Sequence, residues 1–207
     1  MTPPAPRSPR GEETRLRLLR VASVLYAERG VAGTTTELLA ARAGVAEGTI
    51  YRHFPGKEGL YRAVVEQADR WLLGLIRSAD TGEGVEGCLA RIARGMVESA
   101  RRDPGVVRLA LSPREDALLD AAARRGAEEA MGVLHQVLVK GKQEGRVRPG
   151  AVEHWAALWL HLVGFAVTRV ASGTWPEDHP QVAGTIAAAQ RMVLQDGGVG
   201  QDIGHRT

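Results

Sequence analysis

Residues 34–57, TTTELLAARAGVAEGTIYRHFPGK, carry the spacing that most restricts how this chain can fold. Ala40, Gly44 and Ile50 stand four and then six residues apart. A small residue at 40 lets a second helix cross close to the first. Gly44 can adopt the positive φ that a tight inter-helix turn demands, without a Cβ penalty. Ile50 then falls on the inner face of the second helix. Glu47, Thr49, Tyr51, Arg52 and His53 are left on or near the outer face, with Lys57 just beyond. The pattern is that of a helix-turn-helix, and it predicts a second helix shaped to enter the major groove of duplex DNA.

The distribution of charge agrees. The whole chain of 207 residues has a formal net charge of only +3. Residues 1–57 hold 9 Lys/Arg against 5 Asp/Glu, whereas the remaining 150 hold 18 against 19. The positive excess therefore sits with the helix-turn-helix, as phosphate neutralisation requires. Other classes recede. No GxSxG, HExxH, Walker or dinucleotide fingerprint occurs, and His154, His161 and Glu153 complete no metal-binding spacing, so neither enzyme chemistry, a metal nor a cofactor is expected. A lone Cys88 allows no internal disulfide and fits a reducing, cytoplasmic setting. No apolar run reaches the roughly 18 residues of a membrane span, and MTPPAPRSPRG lacks the apolar stretch of a secretory signal.

Helical periodicity continues throughout, with no convincing strand. Helices are expected over about 12–29, a second one capped by Thr34 or Thr35 (Thr34 with Glu37 has capping-box spacing), 46–53, 57–78, 85–102, 106–111, 115–143, 151–171 and 180–195. The result is an all-α chain of about nine helices. Its expected parts are a disordered arm (1–11), a three-helix helix-turn-helix head (12–57), a helical body (58–195) for regulation and dimerisation, and a flexible tail (196–207).

Residues 14–61 resemble the DNA-binding head of the tetracycline-repressor-like (TetR) family of transcriptional regulators. The resemblance rests on Ala27-Glu28-Arg29-Gly30, Thr34-Thr35, Leu39-Ala40, Ala43-Gly44-Val45, Gly48-Thr49-Ile50-Tyr51, His53-Phe54 and Lys57-Glu58 with Leu60. It departs at Ala46, where the family commonly has a serine opening the recognition helix. On side-chain chemistry, Thr49 and Arg52 are expected nearest base edges. Arginine can pair bidentately with guanine, and threonine can meet a thymine methyl. Gly48 lets the backbone approach the groove, while Thr35, Tyr51, His53 and Lys57 suit phosphates. The resemblance implies the same division of labour.

The body offers two further expectations. Residues 155–167, WAALWLHLVGFAV, are apolar around the whole helix, so one side needs a partner beyond the chain's own core. An isologous homodimer through Leu158, His161 and Phe165 with Val182, Ile186, Ala189, Met192 and Val193 is the economical solution, and two heads would then read a palindromic operator. The resemblance implies the same four-helix interface. It also implies a small-molecule pocket among the middle helices, for which Trp71, Met96, Met131, His135, Trp155 and Trp159 are candidates, each equally explicable as core filling. Such a lining suits a largely apolar effector that biases the helix joining head to body, releasing DNA. The chain is thus expected to be a ligand-responsive repressor. A helical small-molecule-binding protein, or an activator without effector-controlled release, is the alternative.

Overall fold

The computed structural model describes residues 9–112 and 116–195. Most of the expected arm, the whole tail and the expected start of a helix at Glu115 lie outside those residues. Nine α-helices are formed among them: α1 (Pro9–Arg29), α2 (Thr36–Ala43), α3 (Gly48–His53), α4 (Gly56–Ala79), α5 (Gly84–Arg102), α6 (Pro104–Leu111), α7 (Ala121–Gln143), α8 (Val152–Ala171) and α9 (Pro180–Val193). A short 3-10 turn spans Asp116–Leu118, and a single isolated bridge joins Val147 to Leu194.

Two apolar cores organise these helices. The head core gathers Leu18, Ala22 and Leu25 of α1, Leu39 and Ala40 of α2, Ile50 of α3, and Leu60, Val64 and Ala68 of α4. The body core gathers Leu72 and Ile76 of α4 with Leu89, Ile92 and Met96 of α5, Leu134 and Leu138 of α7, and Trp159 and Val163 of α8. α4 therefore serves both along its length, and Trp71 at the change-over packs against each core. The head core does not stop at residue 57. It extends along α4 and includes Val106 and Leu109 of α6.

Helix α6 closes on the head from the body side. Gly105 lies so near α1 that a Cβ there would sit 2.3 Å from Ser23 Oγ and 2.6 Å from Val24 N. Arg108 reaches the end of α1, donating to Ala27 O at 3.1 Å and lying 3.9 Å from Glu28. Asp103 caps α6 by accepting from Val106 N at 3.3 Å, and burial pushes its carboxyl above the usual range.

Several boundaries differ from the sequence expectation for identifiable reasons. α1 begins at Pro9 rather than Glu12, since proline is tolerated in a first helical turn where its missing N–H has no partner to lose. Thr35, not Thr34, caps α2, accepting from Leu38 N at 3.2 Å. Thr34 is buried, and its hydroxyl donates to Gly30 O at 2.8 Å, so the capping-box pair with Glu37 does not form. α7 starts at Ala121, where the Asp120 carboxylate accepts from Ala123 N at 2.9 Å. α9 ends at Val193, with Leu194 extended in the bridge to Val147.

Gly105→Ala forces a backbone separation and is expected to cost about 1–3 kcal/mol, the range for overpacking. Gly132→Ala, on α7 with open space around its Cβ, is expected to be neutral or to stabilise by up to about 1 kcal/mol through helix propensity. Urea unfolding of the two variants, compared with the parent, checks both.

Candidate nucleic-acid interface

The turn between α2 and α3 forms as the glycine spacing requires. Gly44 has φ 63°, and a Schellman closure follows, with Val45 N donating to Ala40 O at 3.0 Å and Gly44 N to Ala41 O at 3.2 Å. α3 has only six residues and no side-chain hydrogen bond at its N-cap. Ala46, expected to open this helix, lies outside it: α3 begins two residues later, at Gly48, with no side-chain cap to extend it further. Thr49 N and Ile50 N are nevertheless satisfied by the carbonyls of Ala46 and Glu47 at 2.9 Å each. Ile50 is fully buried and Phe54 nearly so, and these two side chains seat α3 on the head core. Arg15 of α1 lies over the Phe54 ring at 5.3 Å from its centroid.

With that inner face fixed, Gly48, Tyr51 and Arg52 are exposed together, and Thr49 and His53 are half-buried at its edges. Tyr51 is 58 % exposed, a large aromatic left uncovered by its own fold. His53 sits beside Phe54, with ring centroids 6.5 Å apart. Glu47 is exposed, as expected, but it is tied down: Thr36 Oγ1 donates to its carboxylate at 2.7 Å, linking the first turn of α2 to the approach to α3. Positions 36 and 47 carry no spacing signal, so the link was not legible in the sequence.

Two of the residues assigned to phosphates already have internal work. Lys57 Nζ donates to Val31 O and Thr34 O, each at 3.2 Å, and Tyr26 Oη donates to Lys57 O at 2.7 Å. Lys57 thus clamps the α1–α2 loop to the start of α4, leaving one ammonium N–H uncommitted. Burial raises the Tyr26 phenol well above its ordinary pKa, with the Glu58 charge adding to the effect, so it remains a donor. Thr35 is exposed at the head of α2, but its hydroxyl bonds the Glu37 carboxylate, which is held below the usual carboxylate range chiefly by that bond.

In the body, the expected contact residues separate into two groups. Leu158, His161 and Phe165 lie exposed along one face of α8, with Leu158 38 % and Phe165 49 % accessible. Ile186 and Met192 are half-buried on α9. Val182, Ala189 and Val193 instead point into the protomer's own core and are not on an outer face. The valines of α9 pack inward, because the chain's own core covers that side, and the small residues Ala183, Gly184 and Ala188 face out. Of the expected pocket residues, Met96 and Trp159 are fully buried core. Trp71 donates to Ser99 Oγ at 3.3 Å and Trp155 to Pro149 O at 3.2 Å, while Met131 and His135 are half-buried on α7. A hollow of about 370 Å3 does open beside α8, but it is bordered by Leu111, Ser112, Leu160, Gly164 and Phe165.

Lys57→Met removes two charge-assisted hydrogen bonds to the α1–α2 loop. It is expected to lower head stability by about 1.5–3 kcal/mol and to speed amide exchange at residues 31–35, which hydrogen-exchange mass spectrometry would register; unchanged exchange there would contradict the clamp.

Comparison with known proteins gives this geometry a context. Residues 18–64 match the family described as bacterial regulatory proteins of the tetR family. The HTH-type transcriptional repressor Rv3405c of Mycobacterium tuberculosis is 32 % identical over 134 residues, covering 59 % of this chain and 70 % of that protein. The nucleoid occlusion factor SlmA of Glaesserella parasuis is 32 % identical over 112 residues, covering 53 % of this chain and 56 % of SlmA, so the chain spans about half the length of that relative. Among solved structures, a TetR family regulator from Marinobacter aquaeolei VT8 superposes with a TM-score of 0.73 at 18 % identity, covering 90 % of this chain and 98 % of that one. A tetR-family protein from Rhodococcus RHA1 gives 0.70 at 23 %, covering 89 % and 99 %; both likenesses concern the fold. The chain belongs to the TetR family of bacterial transcriptional regulators.

Proposed function

We propose that this protein is a transcriptional repressor that binds a palindromic operator as a homodimer and is released by a small, largely apolar effector. The observation that carries the DNA reading is the α3 surface, where Gly48, Tyr51 and Arg52 stand exposed over a buried Ile50 in the most basic part of the chain. In this reading Arg52 and Thr49 meet base edges. Tyr51 and His53 contact phosphates, joined by Thr35 once its hydroxyl turns from Glu37, and by the remaining N–H of Lys57. The head of residues 12–57 is the reading unit, and 58–195 the regulatory and dimerising unit. The name of the mycobacterial relative supports repression over activation.

Dimerisation is supported by the uncovered face of α8 at Leu158, His161 and Phe165, next to the small outer residues of α9. Effector control is supported by Trp159, whose Nε1 is buried in the body core without a hydrogen-bond acceptor among the described residues. An unpaired buried donor costs about 1–3 kcal/mol, which an apolar molecule bearing one acceptor would relieve. The solved complex of SmeT with triclosan, a fold relative with a TM-score of 0.62, supports a ligand of that character. A bound molecule that prefers one tilt of α4 alters the separation of the two heads, since α4 is packed into both cores.

Three measurements test this reading. On operator variants recovered by binding-site selection, Arg52→Ala should relax preference at one base pair by about 1–3 kcal/mol, whereas Tyr51→Phe should weaken all sequences alike; equal loss everywhere for Arg52→Ala overturns its assignment. Leu158→Glu with Phe165→Glu should shift sedimentation from dimer to monomer and reduce operator affinity. In a screen of apolar compounds, those that release DNA should quench tryptophan fluorescence in the parent but much less in Trp159→Phe.

A further inference from the structure

The head carries a second basic surface on α1 and α2, separate from the α3 face. A hollow of about 350 Å3 is lined by Val21, Val24 and Leu25 on its floor and by Arg17, Arg20 and Arg42 at its rim. No carboxylate lines it, and no residue of α3 contributes. Among the described residues none of the three guanidiniums forms an ion pair; Arg20 only acts at a distance on the half-buried Asp103 carboxyl. Leu16, one turn before Arg20 on the same helix, is 48 % exposed and lies outside the lining of the hollow. Of the large apolar side chains left uncovered, Tyr51 belongs to the α3 surface and Leu158 and Phe165 to the α8 face, while Leu16 and Val139 belong to neither.

We infer that this hollow docks a short acidic amphipathic segment of a partner protein, through one or two apolar anchor side chains and flanking carboxylates. A phosphate backbone would engage the arginines but leave the valine and leucine floor in contact with nothing apolar. An amphipathic segment satisfies both, since apolar anchors fill a desolvated floor while carboxylates pair with the guanidiniums. From Arg17 to Val24 the lining runs about 10 Å along α1, which matches roughly two turns of a helical ligand with anchors three or four residues apart. Because no α3 side chain is used, the segment docks on a surface distinct from the one that reads DNA.

The test uses the full chain and a fluorescein-labelled dodecapeptide carrying Leu and Phe one helical turn apart among glutamates. In fluorescence polarisation at about 50 mM salt, where exposed charges are weakly screened, binding in the range of about 10–100 μM is expected for a single small hollow. Val21→Phe, which fills the floor without altering charge, and the double variant Arg17→Gln/Arg42→Gln should each weaken it at least about tenfold. The same peptide with Leu and Phe changed to alanine should also bind at least about tenfold more weakly. Equal binding of the alanine peptide, or unaltered binding to both variants, overturns the proposal. So does a double variant that keeps the peptide but loses duplex DNA, which would make the surface a phosphate contact. Should the variants fail to fold, amide shifts of the parent protein on peptide addition decide: confined to residues 16–25 and around Arg42 they support the site, and elsewhere they refute it.

Discussion

The burial of Ile50 and Phe54 beneath α3 is the contact on which the rest of the head depends. A six-residue helix cannot sustain itself in water, because nucleation fixes several residues for each hydrogen bond gained. α3 also lacks a side-chain cap. Its geometry is therefore borrowed from the core formed by α1, α2 and α4. Two apolar anchors below and the Arg15–Phe54 contact beside them hold it in place. The exposed side chains above are aimed by that seat, not by local helix preference. The clamp from Lys57 to the α1–α2 loop does the same for the entry to α4, and it converts a residue that chemistry alone assigns to a ligand into part of the frame.

The second organising constraint is that α4 belongs to two cores. Its first half completes the head and its second half completes the body, with Trp71 between them. α6 provides a further tie, pressing Gly105 against α1 and bonding Arg108 to its end. Head and body therefore cannot move relative to each other without repacking one of these contacts. Packed interfaces of this kind favour a few discrete arrangements over continuous bending, which is the mechanical basis that the proposed effector control would use.

Much of the architecture was readable from residue order. The nine helices follow from 3.6-residue periodicity broken at Gly30, Gly44, Pro55-Gly56 and Pro149-Gly150, because apolar spacing and backbone permissiveness are local properties. Residue order left the outcome open where residues of like chemistry compete. Thr34 and Thr35 are both able to cap α2. The choice went to Thr35 because Thr34 is buried and its hydroxyl closes back on Gly30 O. On α9, valines and alanines occupy both sides of a short helix, so periodicity identified an apolar helix without saying which side met the protomer's own core.

The order of amino acids determined the helix-turn-helix and the outer identities of Gly48, Thr49, Tyr51 and Arg52, since these follow from spacing within about twenty residues. It also set the concentration of positive charge in the first quarter of the chain. Only the tertiary structure decided that Lys57 and Thr35 are hydrogen-bonded internally, that Glu47 is held by Thr36, and that Val182, Ala189 and Val193 face inward. It alone brought Arg17, Arg20 and Arg42 to the rim of one hollow. The reason is physical: periodicity says which side of a helix is apolar, but the partner that covers it is chosen by packing among residues far apart in the chain.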